Sequence, residues 1–418
     1  MSQVGVPPIE PARRRGSPAT YRQLTHIGLA QVASSLSNIL AIVLVSHYSN
    51  AGIDEFRIAS LIFALHAFLI GVIRIICLEP ILLRWTSSTL LLKRAVVIGA
   101  SVMPAVLVLL VVSRGMPSES GIAYLIAIPA LAAQEAVRGG FIGSGRAMIS
   151  AWMDLTWLLL MGPTLLGVSL VSNIQPGHVV LVWTATGSIS LLFGYGMWIR
   201  HPAIPHPLTQ RCEKRKDLYA LASSAMVAGS AVPIASVVLN IFNRGVVAAD
   251  WRTSATIFSP FNILASTMHF YVVPHAAKAT GRDLIKWIRR YQLSLLALSL
   301  GSSALLGLVV WSGVISRAFG EPWTRVQPHL LLLFVSQIML VLAGGQFIGL
   351  RLRGRAASEL HARALYAVGI GILVPIGTYV SELKGAFLGA SFAGALAALY
   401  AAGIATRHRA LEHRTSEL

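Results

Sequence analysis

The sequence is short of charge. Only 12% of its 418 residues are Asp, Glu, Lys or Arg, whereas 55% are hydrophobic and the mean hydropathy is +0.69. Soluble globular domains carry about 25% charged residues, and a soluble fold would need an enormous core under an almost uncharged surface. The deficit therefore argues against a soluble domain and predicts an integral membrane protein.

Cysteine is scarce as well. The two residues, Cys77 and Cys212, cannot build a disulfide framework, and we interpret both as inert thiols. The histidines have no metal-ligand spacing, and the segment GFIGSGR at 140–146 lacks the GxxxxGK[ST] pattern of a phosphate-binding loop. No Ser-His-Asp or carboxylate pair points to a soluble active site. We therefore predict no enzymatic activity and no cofactor or metal.

Long apolar runs are abundant. A transmembrane helix needs about 20 mostly apolar residues, and the sequence offers twelve candidates. The predicted spans are 24–46, 57–78, 95–113, 121–141, 149–171, 178–199, 218–242, 253–274, 291–313, 329–350, 363–381 and 385–405.

The basic residues are distributed unevenly around these spans. With the N-terminus inside, 25 of the 34 Lys and Arg residues fall in cytoplasmic segments, seven in outer segments and two, Arg74 and Arg138, within spans. This bias predicts a multi-pass protein of the plasma (inner) membrane with both termini cytoplasmic. The formal charge of +18 is split among short loops, which suits anionic lipid headgroups better than nucleic acid. RDLIKWIRRY at 282–291 is either a helix along the inner surface or a basic loop.

An internal repeat links the two halves of the sequence. FRIASLIF at 56–63 aligns with WRTSATIF at 251–258 at an offset of 195, and FIG at 141–143 is repeated at 347–349. These echoes relate span two to span eight and span four to span ten. We predict an all-α membrane fold of twelve transmembrane helices in two six-helix bundles, related by a pseudo-two-fold axis along the membrane normal.

The predicted organisation has five parts. They are a disordered cytoplasmic tail at 1–23, an N-terminal six-helix bundle at 24–199, a basic cytoplasmic linker at 200–217, a C-terminal six-helix bundle at 218–405 and a cytoplasmic tail at 406–418.

Three charged residues lie together in spans four and five. Arg138 precedes Arg146 by eight residues and Asp154 follows it by eight, so a tight turn at Arg146 would place both at similar depth. Glu135 lies three residues before Arg138 on the same helix face, so Arg138 could contact both carboxylates. The trio either neutralises itself so that the hairpin inserts into the membrane, or lines a transport cavity as a charge network that couples ions. The two interpretations are compatible.

Arg74 is a second cation within a span. Its nearest acid in sequence, Glu79, lies five residues on and immediately before Pro80, so that Glu79 would have to bend back. Arg74 either extends to the inner interface or lines a central cavity with His269, which the offset of 195 places at the matching depth. The predicted substrate-cavity residues are Arg74, Glu79, Arg138 and His269, although lone histidines in spans are more often packing residues.

Two stretches carry a family resemblance. QVASSLSNILAIVLVSHYSNAGIDEFRIASLIFALHAFLIG and RIICLEPILLR, within 31–84, resemble the first spans of polysaccharide flippases of the multidrug/oligosaccharidyl-lipid/polysaccharide (MOP) superfamily, which includes the Wzx-type translocases. WRTSATIFSPFNILASTMHFYVVP at 251–274 resembles their eighth span, and Arg138, Arg146, Asp154 and Trp157 match their pattern in the fourth and fifth. The resemblance implies a two-lobed, V-shaped carrier with alternating access and a cationic cavity.

Three functions remain open at this point. The resemblance favours a flippase for polysaccharide biosynthesis that moves a lipid-linked oligosaccharide from the inner to the outer leaflet. Its partners would be that lipid-linked saccharide, the surrounding membrane lipids and possible neighbouring glycosyltransferases or a polymerase. An ion-coupled multidrug exporter of the same fold would instead need an acidic cavity, which Glu135 and Asp154 favour and Arg74 and Arg138 oppose. A non-transporting membrane scaffold for glycosyltransferases is the third.

Overall fold

The computed structural model describes most of the chain. It covers residues 18–78, 91–114, 118–200, 215–258 and 281–416, together with single residues or pairs at 261, 264–265, 268–269, 272–273, 276 and 279. Within these ranges the secondary structure is helical and contains no strand. Glu79, Pro80 and Cys212 lie outside the described residues, so the predicted contribution of Glu79 stays untested.

The first half of the chain forms six long helices. A short 3-10 helix at Ser49–Ala51 precedes the second of them, and a π-helix at Arg74–Leu78 follows it. The long helices are α1 at Pro18–His47, α2 at Ile53–Ile73, α3 at Leu91–Arg114, α4 at Glu119–Gly143, α5 at Ala147–Val171 and α6 at Pro176–Arg200.

The second half is less regular. Its elements are α7 at Arg215–Ile241, α8 at Gly245–Thr256, α9 at Gly281–Trp311, the short helices α10 at Val314–Phe319 and α11 at Glu321–Val326, α12 at Leu330–Leu352 and α13 at Ala356–Ser416. Non-helical backbone at Ser381 and Glu382 breaks α13 into two arms. The predicted eleventh and twelfth spans are these two arms.

The described helices agree with the predicted twelve-span membrane fold. Nine of them are long and apolar enough to cross a membrane by length and composition, and α13 counts once although it has two arms. The other two predicted spans correspond to α7, whose apolar part is Gly229–Ile241, and to α8 with the helical residues that follow it. Prolines at 104, 129, 163, 233 and 375 lie inside the helices, where each removes one backbone hydrogen bond.

Some predicted boundaries were wrong. α9 runs from Gly281 without a break, so RDLIKWIRRY is the first part of the ninth helix and not a separate surface segment. Residues 18–23 and 406–416, which we assigned to tails, continue helices α1 and α13. Helices extend past the hydrocarbon because water and headgroups tolerate a helical backbone, so hydropathy marks the apolar part of a helix and not its end.

The two halves have largely separate cores. One cluster of buried side chains is drawn almost entirely from residues 41–183, and a second comes from residues 231–393. Val237 and Ala249 of the second half join the first cluster, and Val43 packs against the second. This division supports two bundles that touch along an apolar interface; the exact domain limits stay a prediction.

The repeat extends to the turns between helices. Gly145 between α4 and α5 has φ +78°, and Gly354 between α12 and α13 has φ +69°. In both turns the residue after the glycine donates its N–H to the carbonyl five residues earlier, Arg146 to Phe141 and Arg355 to Leu350. The offset here is 209 and not 195, because the second half contains the extra short helices α10 and α11. The FIG echo at an offset of 206 was therefore displaced by three residues.

Candidate functional site

The α4–α5 hairpin builds the candidate site. Ser144 donates its N–H to the carbonyl of Gly140, and Gly145 adopts a left-handed backbone conformation that favours glycine. The chain therefore reverses within three residues, and α4 and α5 pack side by side. Residues equally far from the turn face each other across this hairpin.

Arg138 and Glu135 form a two-point ion pair within α4. The Arg138 Nε lies 2.8 Å from Glu135 Oε2, and Arg138 Nη2 lies 2.9 Å from Glu135 Oε1. The Arg138 side chain is 0% exposed and that of Glu135 is 4% exposed. Paired hydrogen bonds between guanidinium and carboxylate are the strongest ion pairs in proteins, and here they hold both side chains on one face of α4.

Asp154 faces the same arginine from α5. Its Oδ2 lies 3.7 Å from Arg138 Nη1, close enough for an ion pair but too far for a hydrogen bond. Its Oδ1 accepts a hydrogen bond of 3.1 Å from Gln134 Nε2. Both Asp154 Oδ2 and Arg138 Nη1 are buried and have no hydrogen-bond partner. Asp154 is thus the less tightly held of the two carboxylates.

Arg74 completes the cluster from a third helix. Its Nε donates a hydrogen bond of 2.7 Å to Glu135 Oε1, and 29% of its side chain is exposed. Arg74 is the first residue of the π-helix that follows α2, and π-helical turns occur often at functional sites. Arg74 therefore pairs with an acid on α4. The sequence had suggested Glu79, because proximity along the chain does not show which helices are neighbours.

The four charges balance. Two arginines and two carboxylates give a net charge of zero when all are ionised, which reduces the cost of burying them in a membrane protein. We refer to Arg74, Glu135, Arg138 and Asp154 as the charge cluster. The contact of Arg138 with both carboxylates, predicted from their spacing, is present. Whether the cluster serves transport or only insertion stays a prediction.

Aromatic residues lie next to the charge cluster in the first half. The His66 ring packs edge-on against Trp183, with centroids 4.6 Å apart, and against Tyr124 at 6.2 Å. His66 is buried, and neither ring nitrogen has a hydrogen-bond partner. Trp157 donates from its ring nitrogen to the carbonyl of Trp183 at 2.9 Å and so ties α5 to α6. These contacts fix the face of α5 that carries Asp154.

The structure describes three of the four predicted cavity residues. His269 is a half-buried helical residue of the second half, and its place in a central cavity stays a prediction. Arg138 is enclosed within the first half and exposes no side-chain surface in this conformation. Of the described predicted cavity residues, Arg74 is the one that shares the charge cluster and keeps exposed surface.

Sequence reasoning missed two polar residues, of which one lies at this site. Gln134 is buried and binds Asp154, yet an uncharged polar residue within an apolar run gives only a weak signal. Arg252 was assigned to an outer loop, whereas it lies inside α8 and donates from Nη2 to the carbonyl of Phe63 at 3.5 Å. Its repeat alignment with Arg57 was the available signal. Among the described residues no group of three His, Cys, Asp or Glu side chains could hold a metal ion.

The second half has a contact between its helices that corresponds to the contact of Arg138 with Asp154. At the turn offset of 209, Arg138 and Asp154 correspond to Phe347 and Arg363, and the guanidinium of Arg363 lies 5.1 Å from the centre of the Phe347 ring. Arg363 also pairs with Glu359 at 2.8 Å. The two hairpins therefore join their helices at the same place, one by an ion pair and the other by a cation–π contact.

The fold and the cluster define a class of protein. A multi-pass helical membrane protein with two similar halves and ionised residues buried within one of them has the general organisation of transporters. No protein-family model matches the sequence, and no curated protein matches it either.

Solved structures identify the fold itself as that of MATE transporters in the MOP superfamily. The chain is similar to the eukaryotic MATE transporter AtDTX14, with a TM-score of 0.66 and 13% identity over 92% of this chain and 95% of that one. It is also similar to an outward-facing multidrug resistance MATE family transporter of the MOP superfamily, with a TM-score of 0.64 and 14% identity over 96% and 98%.

A third similar structure is that of a transporter described by the polarity of its binding pocket. It is a MOP superfamily transporter from Pyrococcus furiosus, whose binding pocket has a reverse polarity that suggests a different function for that protein. The TM-score is 0.60, with 15% identity over 93% of this chain and 95% of that one. At these identities the likeness establishes the fold, and the substrate has to be argued from the residues.

Proposed function

We propose that the chain is an ion-coupled exporter that moves a cationic substrate out of the cell by alternating access. The fold is one in which multidrug resistance transporters are found. The observation that carries the coupling is the position of Asp154, fully buried beside Arg138 with one oxygen lacking a hydrogen bond. A carboxylate held this loosely in the protein interior is suited to exchange a proton during a transport cycle.

The charge balance gives the exchange a physical basis. With both carboxylates ionised the charge cluster is neutral, and protonation of Asp154 leaves it with a charge of +1. A positive charge disfavours a second cation at roughly 10 Å by about 1.7 kcal/mol at an effective dielectric constant of about 20, which is slightly more than tenfold in affinity. Proton and cationic substrate would therefore compete, as exchange transport requires.

The test uses reconstituted protein. Proteoliposomes with an imposed proton gradient should accumulate a fluorescent organic cation such as ethidium, and Asp154→Asn should abolish the dependence on the gradient because it fixes the neutral form. Asp283→Asn is the matched control, since Asp283 is 76% exposed and pairs with Lys286 on its own helix. Gradient-driven transport that survives in Asp154→Asn would remove Asp154 from the coupling step.

A flippase for lipid-linked saccharides is the second candidate. The observation that favours it is the presence of two arginines near the interface of the halves. Arg74 is partly exposed, and Arg252 extends toward α2 with Nε unpartnered. Together they suit an anionic pyrophosphate better than a cation. The resemblance of residues 31–84 to polysaccharide flippases points the same way.

The two candidates predict opposite substrate charges. In the same proteoliposomes, a fluorescent lipid-linked saccharide should change leaflet if the flippase proposal is right, and Arg74→Ala should reduce its rate. Ethidium transport without lipid flipping supports the exporter, whereas lipid flipping without ethidium transport supports the flippase. If neither substrate moves, both proposals fail, and a stable complex with glycosyltransferases in a pull-down would favour the scaffold.

A further inference from the structure

The two halves are connected near the ends of α1, α2 and α7. Ser46 near the end of α1 donates a hydrogen bond of 2.7 Å to the carbonyl of Phe319, the last residue of α10. Arg57 in the first turns of α2 donates from Nε to Asn240 Oδ1 of α7 at 3.3 Å. The charge bias predicts that this end faces the outside, and we call it the outer end.

Arg57 occupies a prepared position on the other half. Asn240 is buried, and its Nδ2 donates to the carbonyl of Ser236 at 3.0 Å, which orients Oδ1 to accept from Arg57. Gly245, the first residue of α8, lies beneath the guanidinium. A Cβ built there would overlap Asn240 Oδ1 and Arg57 Nε. A side chain at residue 245 would therefore have to displace Arg57 and Asn240.

Arg252 extends across the halves in the opposite direction. It aligns with Arg57 in the repeat at an offset of 195, and its Nη2 donates to the carbonyl of Phe63 on α2 at 3.5 Å. Thus an arginine of the first half extends to the second, and its repeat partner extends back. Both contacts therefore cross between the halves, although they join different pairs of helices.

We propose that Arg57, Asn240 and Gly245, with the reciprocal contact of Arg252, form an outer clasp that holds the two halves together and keeps the outer end closed. A carrier that alternates access must break this contact in each cycle, because α2 cannot separate from α7 and α8 while Arg57 stays in place. Arg57, Asn240 and Gly245 have no part in the proposed coupling or substrate binding, so their role in the clasp can be tested even if the proposed function fails.

Its strength suits a reversible contact. A single hydrogen bond from arginine to a neutral amide is weaker than the paired ion bonds of the charge cluster. Arg57 also pairs at 3.4 Å with Asp54 on its own helix, which offers it a partner when the halves separate. Arg57 is therefore never left without a hydrogen-bond acceptor during opening, and the clasp can release at low cost.

The experiment measures the opening directly. Ser60 lies three residues after Arg57 on the same helix face and is buried, so Ser60→Cys, in a background without Cys77 and Cys212, reports whether the outer end is open. A membrane-impermeant thiol reagent applied to intact cells should label it slowly in the parent. Arg57→Ala and Gly245→Val should each raise the labelling rate about tenfold or more.

Gly245→Val displaces Arg57 without removing its charge, and the backbone of Gly245 lies outside the positive-φ region, so it accepts a side chain. Arg244→Ala is the control for Arg57, since Arg244 pairs at the same end with Glu382 of its own half. Gly307→Val is the control for Gly245, because a Cβ at Gly307 has no neighbour within 4 Å. Both controls should label like the parent.

Labelling from the other face separates opening from unfolding. In inverted vesicles, Arg57→Ala and Gly245→Val should label no faster than the parent, because a shift toward the outward-open state closes the inner side. A variant that merely loosens the fold would label faster from both sides. Rates in both variants within twofold of the parent in intact cells, or faster labelling from both sides, would overturn the proposal.

Discussion

At the scale of single residues, spacing along the chain predicted contacts within one hairpin and failed for contacts between distant helices. The pairing of Arg138 with Glu135 and Asp154 followed from counting residues around the turn, because helix geometry fixes depth within a hairpin. The contact from Arg74 to Glu135 joins residues 61 apart. No spacing rule identifies such a pair, since it depends on which helices pack together.

Replacement of Arg138 alone should destabilise the protein more than replacement of Arg138, Glu135 and Asp154 together by neutral residues. Arg138→Met leaves Glu135 and Asp154 buried together with Arg74 as their one remaining cation, and loss of one member of a buried ion pair costs about 3–5 kcal/mol. The triple change Arg138→Met, Glu135→Gln and Asp154→Asn removes the fully buried charges and leaves Arg74, whose side chain is 29% exposed, as the one cation of the charge cluster. It should recover most of the loss, as measured by the thermal unfolding of purified protein in detergent.

The control for this series is Lys286→Met, which removes an exposed cation that pairs with Asp283 and should change the unfolding temperature little. A triple variant as unstable as Arg138→Met would show that shape, and not charge compensation, governs this site.

Glu382 is a residue whose replacement should stabilise the protein. It has φ 49° and ψ −132° at the break between the arms of α13, a conformation that costs a residue with a side chain about 1–3 kcal/mol. Its exposed ion pair with Arg244 contributes at most about 1 kcal/mol. Glu382→Gly should therefore raise the unfolding temperature. Glu382→Ala loses the ion pair but keeps the strain, and a rise in that variant as well would contradict the backbone explanation.

At the scale of helices, hydropathy located the apolar elements well, whereas turns and helix ends depended on details it does not record. The tight turn at Gly145 was predicted from its small residues, and its left-handed glycine agrees. The unbroken start of α9 was not predicted, since residues 282–291 were interpreted as a surface helix or a basic loop separate from the ninth span. The small residues of 386–398 lie where the two arms of α13 meet.

Glycines lie where the two arms of α13 approach each other most closely. A Cβ at Gly377 would overlap the backbone of Gly385, and one at Gly385 would overlap Gly377. Further along, Gly389 contacts the Leu373 carbonyl and Gly369 faces Ala393, so the contacts recur every four residues on each arm. Small residues at this spacing let membrane helices pack backbone to backbone.

Gly377→Leu should therefore separate the two arms. Overpacking usually costs about 1–3 kcal/mol, and the cost here should reach or exceed the upper end because the opposing atoms belong to the backbone and cannot rotate away. Gly371→Leu lies on the same arm with no atom near its Cβ and serves as the matched control. Expression yield and thermal unfolding should fall in the first variant alone; equal losses in both would point to a general intolerance of leucine in this arm.

At the scale of the whole molecule, composition and charge bias were enough to predict a helical membrane protein of this size, and the fold of similar solved structures agrees. The repeat was visible as two short echoes, yet its offset changes from 195 to 209 along the chain. A single alignment could not show the insertion of α10 and α11. The contacts between the halves could not be predicted at all, because they depend on how two separately packed bodies meet in one conformation.

Separate cores lead to a prediction about the chain as a whole. If each half packs around its own core, with α1–α6 in one and α7–α13 in the other, the covalent link between them contributes little to either. Two fragments, 1–207 and 208–418, expressed together should fold and associate through the interface of α2 with α7 and α8. A tag on the first fragment should then recover the second from detergent extracts.

The informative comparison is a division at the α4–α5 turn, into 1–145 and 146–418. This cut parts Arg138 from Asp154 and leaves four helices without the two that complete their core, so each fragment exposes charge and apolar surface that only the other can cover. Recovery should be far lower than for the first pair. If both pairs associate equally well, or if neither does, the chain folds as one cooperative body, and the picture of two bundles that move against each other loses its physical basis.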